Sequence, residues 1–153
     1  MQLMQTYFRD AVRGDLRAIA TILREADASG DVEDHDGIDR YREALDEIDR
    51  SDGNYVLVAE YDGQITAVIQ MVAFRRLHHQ GDRCAEIVAM HVAEAFRTTG
   101  IGGMLVDHAV ARAHDLGCRR LQVLSGTSRT DEHPFWERNG FVRLDRGYVR
   151  TLG

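Results

Sequence analysis

Residues 84–104 read CAEIVAMHVAEAFRTTGIGGM: a strand, a connector, a glycine-rich turn and the start of a helix. Ile87 to Val92 is apolar and branched enough for a buried strand. Arg97-Thr98-Thr99-Gly100-Ile101-Gly102-Gly103 then places three glycines where the backbone must approach something closely. Met104 to Leu116 follows with a helical period. A strand that delivers such a turn onto a helix N-terminus makes an anion cradle. The first N–H groups have no acceptor inside the helix, and the helix dipole favours negative charge there. The stretch therefore predicts a phosphate-bearing cofactor at the turn.

Working outward, residues 7–12 read as a first strand. Asp15 can cap a helix over residues 16–26, whose Leu16, Ile19, Ala20, Ile22, Leu23 and Ala26 form one apolar face. Residues 29–37 read as a loop and 38–48 as a second helix, with Ile38, Tyr41, Leu45 and Ile48 on one side. Residues 54–61 and 64–74 are strands joined by the hairpin turn Asp62-Gly63. A polar loop, 75–83, leads into the opening stretch. Beyond it, Gly117 ends the helix, 119–125 is a strand, 126–130 a loop, and 131–139 a short helix closed by Asn139-Gly140. Residues 141–144 and 148–152 read as a last hairpin around Asp145-Arg146-Gly147. The order β-α-α-β-β-β-α-β-α-β-β predicts an α/β (α+β) fold, a mixed central sheet of about six to seven strands flanked by about four helices. An antiparallel meander leads into one strand–helix–strand crossover whose two strands lie parallel.

At 153 residues, with 44% hydrophobic residues and one proline, the chain has the makings of one folded domain, 1–153. No apolar run approaches the length of a membrane span, so no membrane partner is expected. The first residues lack a basic segment followed by an apolar one, which predicts a cytoplasmic location. Cys84 and Cys118 make no disulfide framework, as suits a reducing compartment. A net charge of −6 argues against nucleic acid and favours neutral or cationic partners. All 19 residues in the Lys and Arg count are Arg, so no catalytic Lys is available.

The missing Lys removes the P-loop, which needs Gly-x-x-x-x-Gly-Lys-Ser/Thr. A dinucleotide fingerprint, Gly-x-Gly-x-x-Gly, does not fit Gly100-x-Gly102-Gly103, and Ser125-Gly126 stands where an acidic residue should end the next strand. Taken locally, glycines that merely fit a tight turn are the alternative. The wider pattern is Arg97-x-x-Gly100-x-Gly102 between strand and helix, with His133-Pro134-Phe135-Trp136-Glu137-Arg138-Asn139-Gly140-Phe141 downstream. It resembles the GNAT superfamily of acyl-CoA N-acyltransferases, from the first strand to the last hairpin. The hallmarks of that superfamily are an Arg/Gln-x-x-Gly-x-Gly/Ala turn and a later Phe-Tyr-x-x-x-Gly-Phe segment. The resemblance implies acetyl-CoA as co-substrate and an amine acceptor. On matching positions it implies that Met90, His91 and Val92 offer backbone groups to the pantetheine arm. Thr98, Thr99, Gly100, Ile101, Gly102 and Gly103 would hold the pyrophosphate through their N–H groups. Arg97 would fix the turn or face a phosphate.

Acetyl transfer to an amine needs a base for the ammonium, polarisation of the thioester and a proton for the leaving thiolate. Ala85-Glu86-Ile87-Val88 resembles the strand that carries the catalytic Glu of the histone acetyltransferases in this superfamily, which makes Glu86 the candidate base. A carboxylate beside a cleft can have a raised pKa and act directly or through water; a neutral Glu at an exposed strand end is the other reading. Trp136 stands where many members carry the Tyr that protonates the CoA sulfur. Indole N–H is a poor proton source, so Trp136 is expected to shape the acetyl pocket or to serve as a large core residue. Tyr148, His133 and Ser128 are then the candidate acids. Arg129 falls near the place of an Asn that often precedes this helix.

His35, His78, His79 and His91 lack the spacing of a metal site, and no metal is expected. His78-His79 is a candidate acceptor contact. Together with Asp131-x-His133-x-Phe135-Trp136 it resembles members that act on small amines, aminoalkylphosphonates and aminoglycosides among them. The acidic run 27–52 is either a solvated face or a wall for a cationic amine. The expected reaction is acetyl transfer to a primary amine of a small molecule. A protein or peptide amine, or a non-catalytic acyl-CoA sensor, are the alternatives, and homodimers are frequent among similar proteins.

Overall fold

The Asp62-Gly63 turn sends β2 (Asn54–Tyr61) straight back as β3 (Gln64–Arg75). Both turn residues have positive φ, 49° and 77°, the conformation whose twist matches paired strands. The computed structural model describes residues 5–26, 37–124, 132–144 and 147–153. Among these, β1 (Thr6–Asp10), β4 (Arg83–Val92) and β5 (Cys118–Val123) complete a five-stranded sheet in the order β1-β2-β3-β4-β5. The first four strands pair antiparallel, and β5 lies parallel to β4. The crossover between β4 and β5 is α4 (Ile101–Asp115). The other helices are α1 (Leu16–Ala26), α2 (Ile38–Arg50), the single turn α3 (His78–Gly81) and α5 (Glu132–Arg138).

Strand alternation divides the core into two layers. Val56 packs with Leu16, Ile38 and Leu45, so the even positions of β2 face α1 and α2. Tyr55 lies under the Arg112 guanidinium of α4, 5.3 Å from its carbon to the ring centroid, so the odd positions face α4. On that side Leu57, Ile69, Met71 and Ile87 are buried, as are Ile101, Leu105, Val106 and Ala109 of α4. The entry to α1 is held by Asp15. Its carboxylate accepts from the Val12 N–H at 2.8 Å and from Arg9 at 2.7 and 3.0 Å. Arg9 also reaches Glu60 on β2, which ties the first strand, the cap and the sheet together.

The sheet has five strands where the sequence predicts six to seven. The difference is the final hairpin. Residues 141–144 and 148–152 form no strand, and Asp145 and Arg146 lie outside the described residues. Alternation supplies two faces but not a pairing partner, and an isolated two-stranded ribbon is marginal in water. Phe141 is anchored by its N–H to the Trp136 carbonyl at 3.0 Å. Val142 beyond it is 85% exposed. Five helices lie among the described residues beside the about four expected, the added one being the single turn α3 inside the loop 75–83. There Arg76 and Asp82 close the loop through paired bonds of 2.7 and 2.6 Å. The loop then coils tightly enough that His79 and Gln80 take positive φ, 54° and 61°.

Candidate active site

Two irregularities in the sheet place the site. The first is a β-bulge in β4. Met71 pairs with Ile87 and Gln70 with Ala89, so Val88 has no partner on β3. One inserted residue reverses the alternation that follows it. Glu86 shares a face with Val72, on the α1/α2 side, while Met90 and Val92 turn toward α4. The contacts bear this out, since the Cα of Gly102 lies against Met90 and Val92. The second irregularity is the end of the β4–β5 ladder. Its last pair is Ile87 with Val123. From Val88 to Val92 this edge of β4 has no pairing strand among the described residues, so its backbone groups are open to an added extended chain.

The open edge runs directly into the glycine turn. Phe96 is buried and meets the Tyr61 ring edge-on at 5.8 Å, and the Glu94 N–H donates to Glu25 at the end of α1 at 2.8 Å. The exit from β4 is thus fixed on two sides. The Arg97 Nε–H donates back to the Val92 carbonyl at 3.3 Å, which assigns Arg97 to bracing the turn. Thr98 and Gly100 have positive φ, 69° and 88°. Gly100 caps α4, and the first intrahelical bond runs from the Met104 N–H to its carbonyl at 3.2 Å. The N–H groups of Ile101, Gly102 and Gly103 precede that bond and have no acceptor within the helix. They form an anion cradle at the positive end of a 15-residue helix.

The three glycines serve different ends. A Cβ on Gly100 would meet nothing within 4 Å, so glycine there answers only to φ. A Cβ on Gly102 would lie 3.1 Å from Val92 Cγ2, 3.2 Å from Met90 Cε and 3.5 Å from Phe135 Cε2. One on Gly103 would lie 3.1 Å from Asn139 Oδ1. These two glycines let α4 settle onto β4 and α5. Close packing of the chain on itself is thus a second reason for glycine at Gly102 and Gly103, beside the approach of a ligand.

Glu86 stands one residue before the open edge. It pairs with Val72 on one side and Gln122 on the other. All three are half-buried, and Glu86 enters no hydrogen bond or ion pair among the described residues. Val72 in turn pairs with Asn54, whose Oδ1 accepts from Gln70 Nε2 at 3.2 Å. On this face the register runs Gln122-Glu86-Val72-Asn54 across four strands, with apolar Val72 between the two polar pairs Gln122-Glu86 and Gln70-Asn54. Gln122, Gln70 and Asn54 were not singled out from the sequence; the signal available was a polar residue inside β5 and β3 and at the start of β2.

Residues 16–141 match the Acetyltransferase (GNAT) family. The chain belongs to that family. A curated relative, the amino-acid acetyltransferase of Ralstonia nicotianae, is 31% identical over 136 residues, which is 89% of this chain and 26% of the relative. This chain thus spans about a quarter of that protein's length. Among solved structures, a transcriptional regulator from Bacillus halodurans C-125 is 29% identical with a TM-score of 0.89, over 96% of this chain and 99% of that one. The glucosamine-6-phosphate N-acetyltransferase of Arabidopsis thaliana is 18% identical with a TM-score of 0.79, over 97% and 99%; this last likeness speaks for the fold alone.

Acetyltransferases of this family use acetyl-CoA, and the residues present fit it. The cradle of α4 suits a pyrophosphate, and the open edge of β4 suits an extended arm bearing amide groups. Trp136, in the place of the family's Tyr, is 9% exposed. It meets Phe135 and Phe141 edge-on at 5.0 and 5.1 Å, so it packs as a core residue. Phe135, which reaches Gly102, is the aromatic nearer the cradle. Tyr148 is 98% exposed, surrounded by solvent and not by a pocket. His133 belongs to α5, but its side chain lies outside the described residues, as do Ser128 and Arg129. His91 turns to the α1/α2 face beside Val68. His78 and His79 are exposed at the far end of β4 from the glycine turn, their rings 4.7 Å apart. Among the described residues no group of His, Cys, Asp and Glu is gathered as a metal site would need. In the acidic run, residues 27–36 lie outside the described residues. Within α2, Asp46 pairs with Arg13 and Asp39 with Arg42.

Proposed function

We propose that this acetyltransferase moves the acetyl group of acetyl-CoA to a primary amine of a small molecule, with Glu86 as general base. The observation that carries this reading is the position of Glu86 at the mouth of the strand split. Its pair with Gln122 is next to the last β4–β5 pair, so the carboxylate lies beside the edge along which the co-substrate's arm would run. When bound, acetyl-CoA supplies the thioester that the amine attacks. The chain's own part is to hold the pyrophosphate at the N–H groups of Ile101, Gly102 and Gly103, to align the arm along Val88 to Val92, and to take a proton from the ammonium at the Glu86 carboxylate. Half-burial leaves that carboxylate open to an incoming amine or to one intervening water. The small-molecule acceptor is supported by the 31% identical relative, which acts on an amino acid by its name.

Trp136 is packed away from solvent, so the proton for the leaving thiolate has another source. Water is the simplest, since a thiol is acidic enough to leave largely as thiolate. The test is thiol release from acetyl-CoA against a panel of amines. Glu86→Gln should lower kcat/KM by about 10²- to 10⁴-fold, the usual worth of a general base, and flatten the acid limb of the pH profile. An active Glu86→Gln enzyme with an unaltered profile refutes the base assignment. A second reading, a non-catalytic acyl-CoA sensor, rests on Trp136 in the Tyr position; binding of CoA with no turnover of any amine would favour it.

A further inference from the structure

We propose that the acceptor is a small zwitterion, an amine carrying a carboxylate or similar anion a few bonds from its nitrogen, held between Glu86 and Arg120. This rests on the acetyl-transfer reading and narrows it.

The geometry follows from strand register. Glu86 pairs with Gln122, and Cys84 pairs with Arg120. Paired residues share a face, and so do residues two apart on one strand. Glu86 and Arg120 therefore stand on the same face as diagonal neighbours on adjacent strands. With strands about 4.8 Å apart and a rise of about 3.3 Å per residue, their Cα atoms are about 8 Å apart. The face is the one α4 does not cover. Glu86 is half-buried and Arg120 exposed.

Among the described residues both charges are left without a partner. Neither Glu86 nor Arg120 enters an ion pair or hydrogen bond among the described residues. Elsewhere several charges do pair, as Arg9 does with Asp15 and Glu60, Arg13 with Asp46, Arg76 with Asp82 and Arg112 with Asp10. Arg76 and Asp82 lie at the same end of the sheet but satisfy each other at 2.6 Å. Between the two open charges is Cys84, fully buried, its thiol pushed up by burial against the pull of Arg76 and Arg120. A neutral spacer thus separates one free anion from one free cation.

A ligand that matches this face carries both signs. The ammonium approaches Glu86, where the proton must leave, and the anion extends toward the Arg120 guanidinium, which grips a carboxylate through paired N–H groups. The Gln122 amide stands beside both and can donate or accept. A purely cationic amine would meet Arg120 as a repulsive neighbour.

The experiment uses the full chain, acetyl-CoA and matched acceptors, β-alanine against β-alaninamide and γ-aminobutyrate against butylamine, with thiol release as readout. Wild-type enzyme should favour each anionic member. Arg120→Gln should erase the preference, lowering the ratio of kcat/KM within each pair by about 10- to 100-fold, the worth of a hydrogen bond to a charged group, mainly through KM. Arg120→Lys should restore part of it. Turnover with no preference for the anionic member, or with a ratio that Arg120→Gln leaves alone, overturns the zwitterion and leaves acetyl transfer standing. No transfer to any amine, with CoA still bound, overturns the acetyl-transfer reading and this inference with it.

Discussion

Gly102→Ala tests whether the glycine turn is shaped by the strand behind it or by the ligand in front of it. The new Cβ would stand 3.1 Å from Val92 Cγ2 and 3.2 Å from Met90 Cε. Carbon atoms in contact prefer about 3.5–4.0 Å, so the start of α4 must lift or both side chains must yield. Met90 ends in a flexible thioether and gives way easily, whereas Val92 is stiff at χ1. Overpacking by one methyl costs about 1 kcal/mol, the low end of the usual range. Replacing glycine by alanine in a helix returns about 0.8–1.0 kcal/mol. The two nearly cancel, so the variant should fold with stability within about 1 kcal/mol of wild type.

Affinity for CoA should not be spared, because the lift moves the N–H groups of Ile101, Gly102 and Gly103 together. A loss of about 1.4 kcal/mol is tenfold in Kd, and a fall of several-fold to tenfold is expected by calorimetric titration. Val92→Ala removes the stiff obstacle, so the double variant should recover most of the affinity, with a coupling of at least about 0.5 kcal/mol. Gly100→Ala is the control. It has open space around its Cβ and fails only through φ, at a cost of about 1–2 kcal/mol, so Val92→Ala should not rescue it and Gly100→Asn should be milder. Additive effects of Gly102→Ala and Val92→Ala would refute the packing argument, and unchanged affinity in Gly102→Ala would refute the cradle.

Gly53→Ala should be far more damaging, because its Cβ would lie 2.4 Å from the Ala73 carbonyl oxygen at φ +81°; a urea midpoint equal to wild type would contradict a cost of roughly 3 kcal/mol. Stability should also fall as pH drops below 6.5. Burial, and then Arg112, hold His108 below its ordinary value near 6.5, and its buried Nε2 has no hydrogen-bond partner among the described residues. The unfolded chain therefore takes up a proton that the native state refuses, with a slope of at most about 1.4 kcal/mol per pH unit. His108→Leu should flatten the urea-denaturation profile between pH 7.5 and the depressed value, and an identical slope would show the titration lies elsewhere. At lower pH the Asp15 cap should act in turn. Burial raises its carboxyl, but the Arg9 guanidinium and the Val12 N–H outweigh this and leave it below 3.8. Its contribution is full above 3.8 and lost as pH falls through the folded value, so Asp15→Asn should remove that acid limb of the denaturation profile.

How far the sequence carries the fold depends on where each element finds its partner. The strand β2 is legible residue for residue, because Asp62-Gly63 admits one turn and fixes where the strand ends, although the bulge between Ala59 and Glu60 shifts its register with β3 by one residue. Helix α1 is equally plain, since its apolar face recurs at helical spacing. The final hairpin has the same surface signs, alternation and a glycine turn, yet forms no strand. Pairing is a property of two segments, and the second cannot be read from the first. The site divides the same way. The glycine turn is legible because three glycines and a helix start are adjacent in the chain. Arg120 is not, because its nearness to Glu86 exists only through the β4–β5 register.

The bulge at Val88 shows why such a site resists reading even when its residues are known. With strict alternation, Glu86, Val88, Met90 and Val92 would share one face. Glu86 would then point with Met90 and Val92 into the packed layer under α4, or else all of them would face α1 and α2. In the second case His91 would lie beneath Gly102, and the close approach of α4 to β4 would be lost to an imidazole. The inserted residue resolves the conflict. It leaves Glu86 on the open face, sends Met90 and Val92 under the glycine turn, and coincides with the last pair of the β4–β5 ladder at Ile87 and Val123. Proposed base, open edge and cradle are thus set by one backbone irregularity. Its predicted signature is that shortening β4 by removing Val88 would weaken CoA binding and acceptor turnover together, while substituting Val88 by Thr, which keeps the insertion, would preserve both.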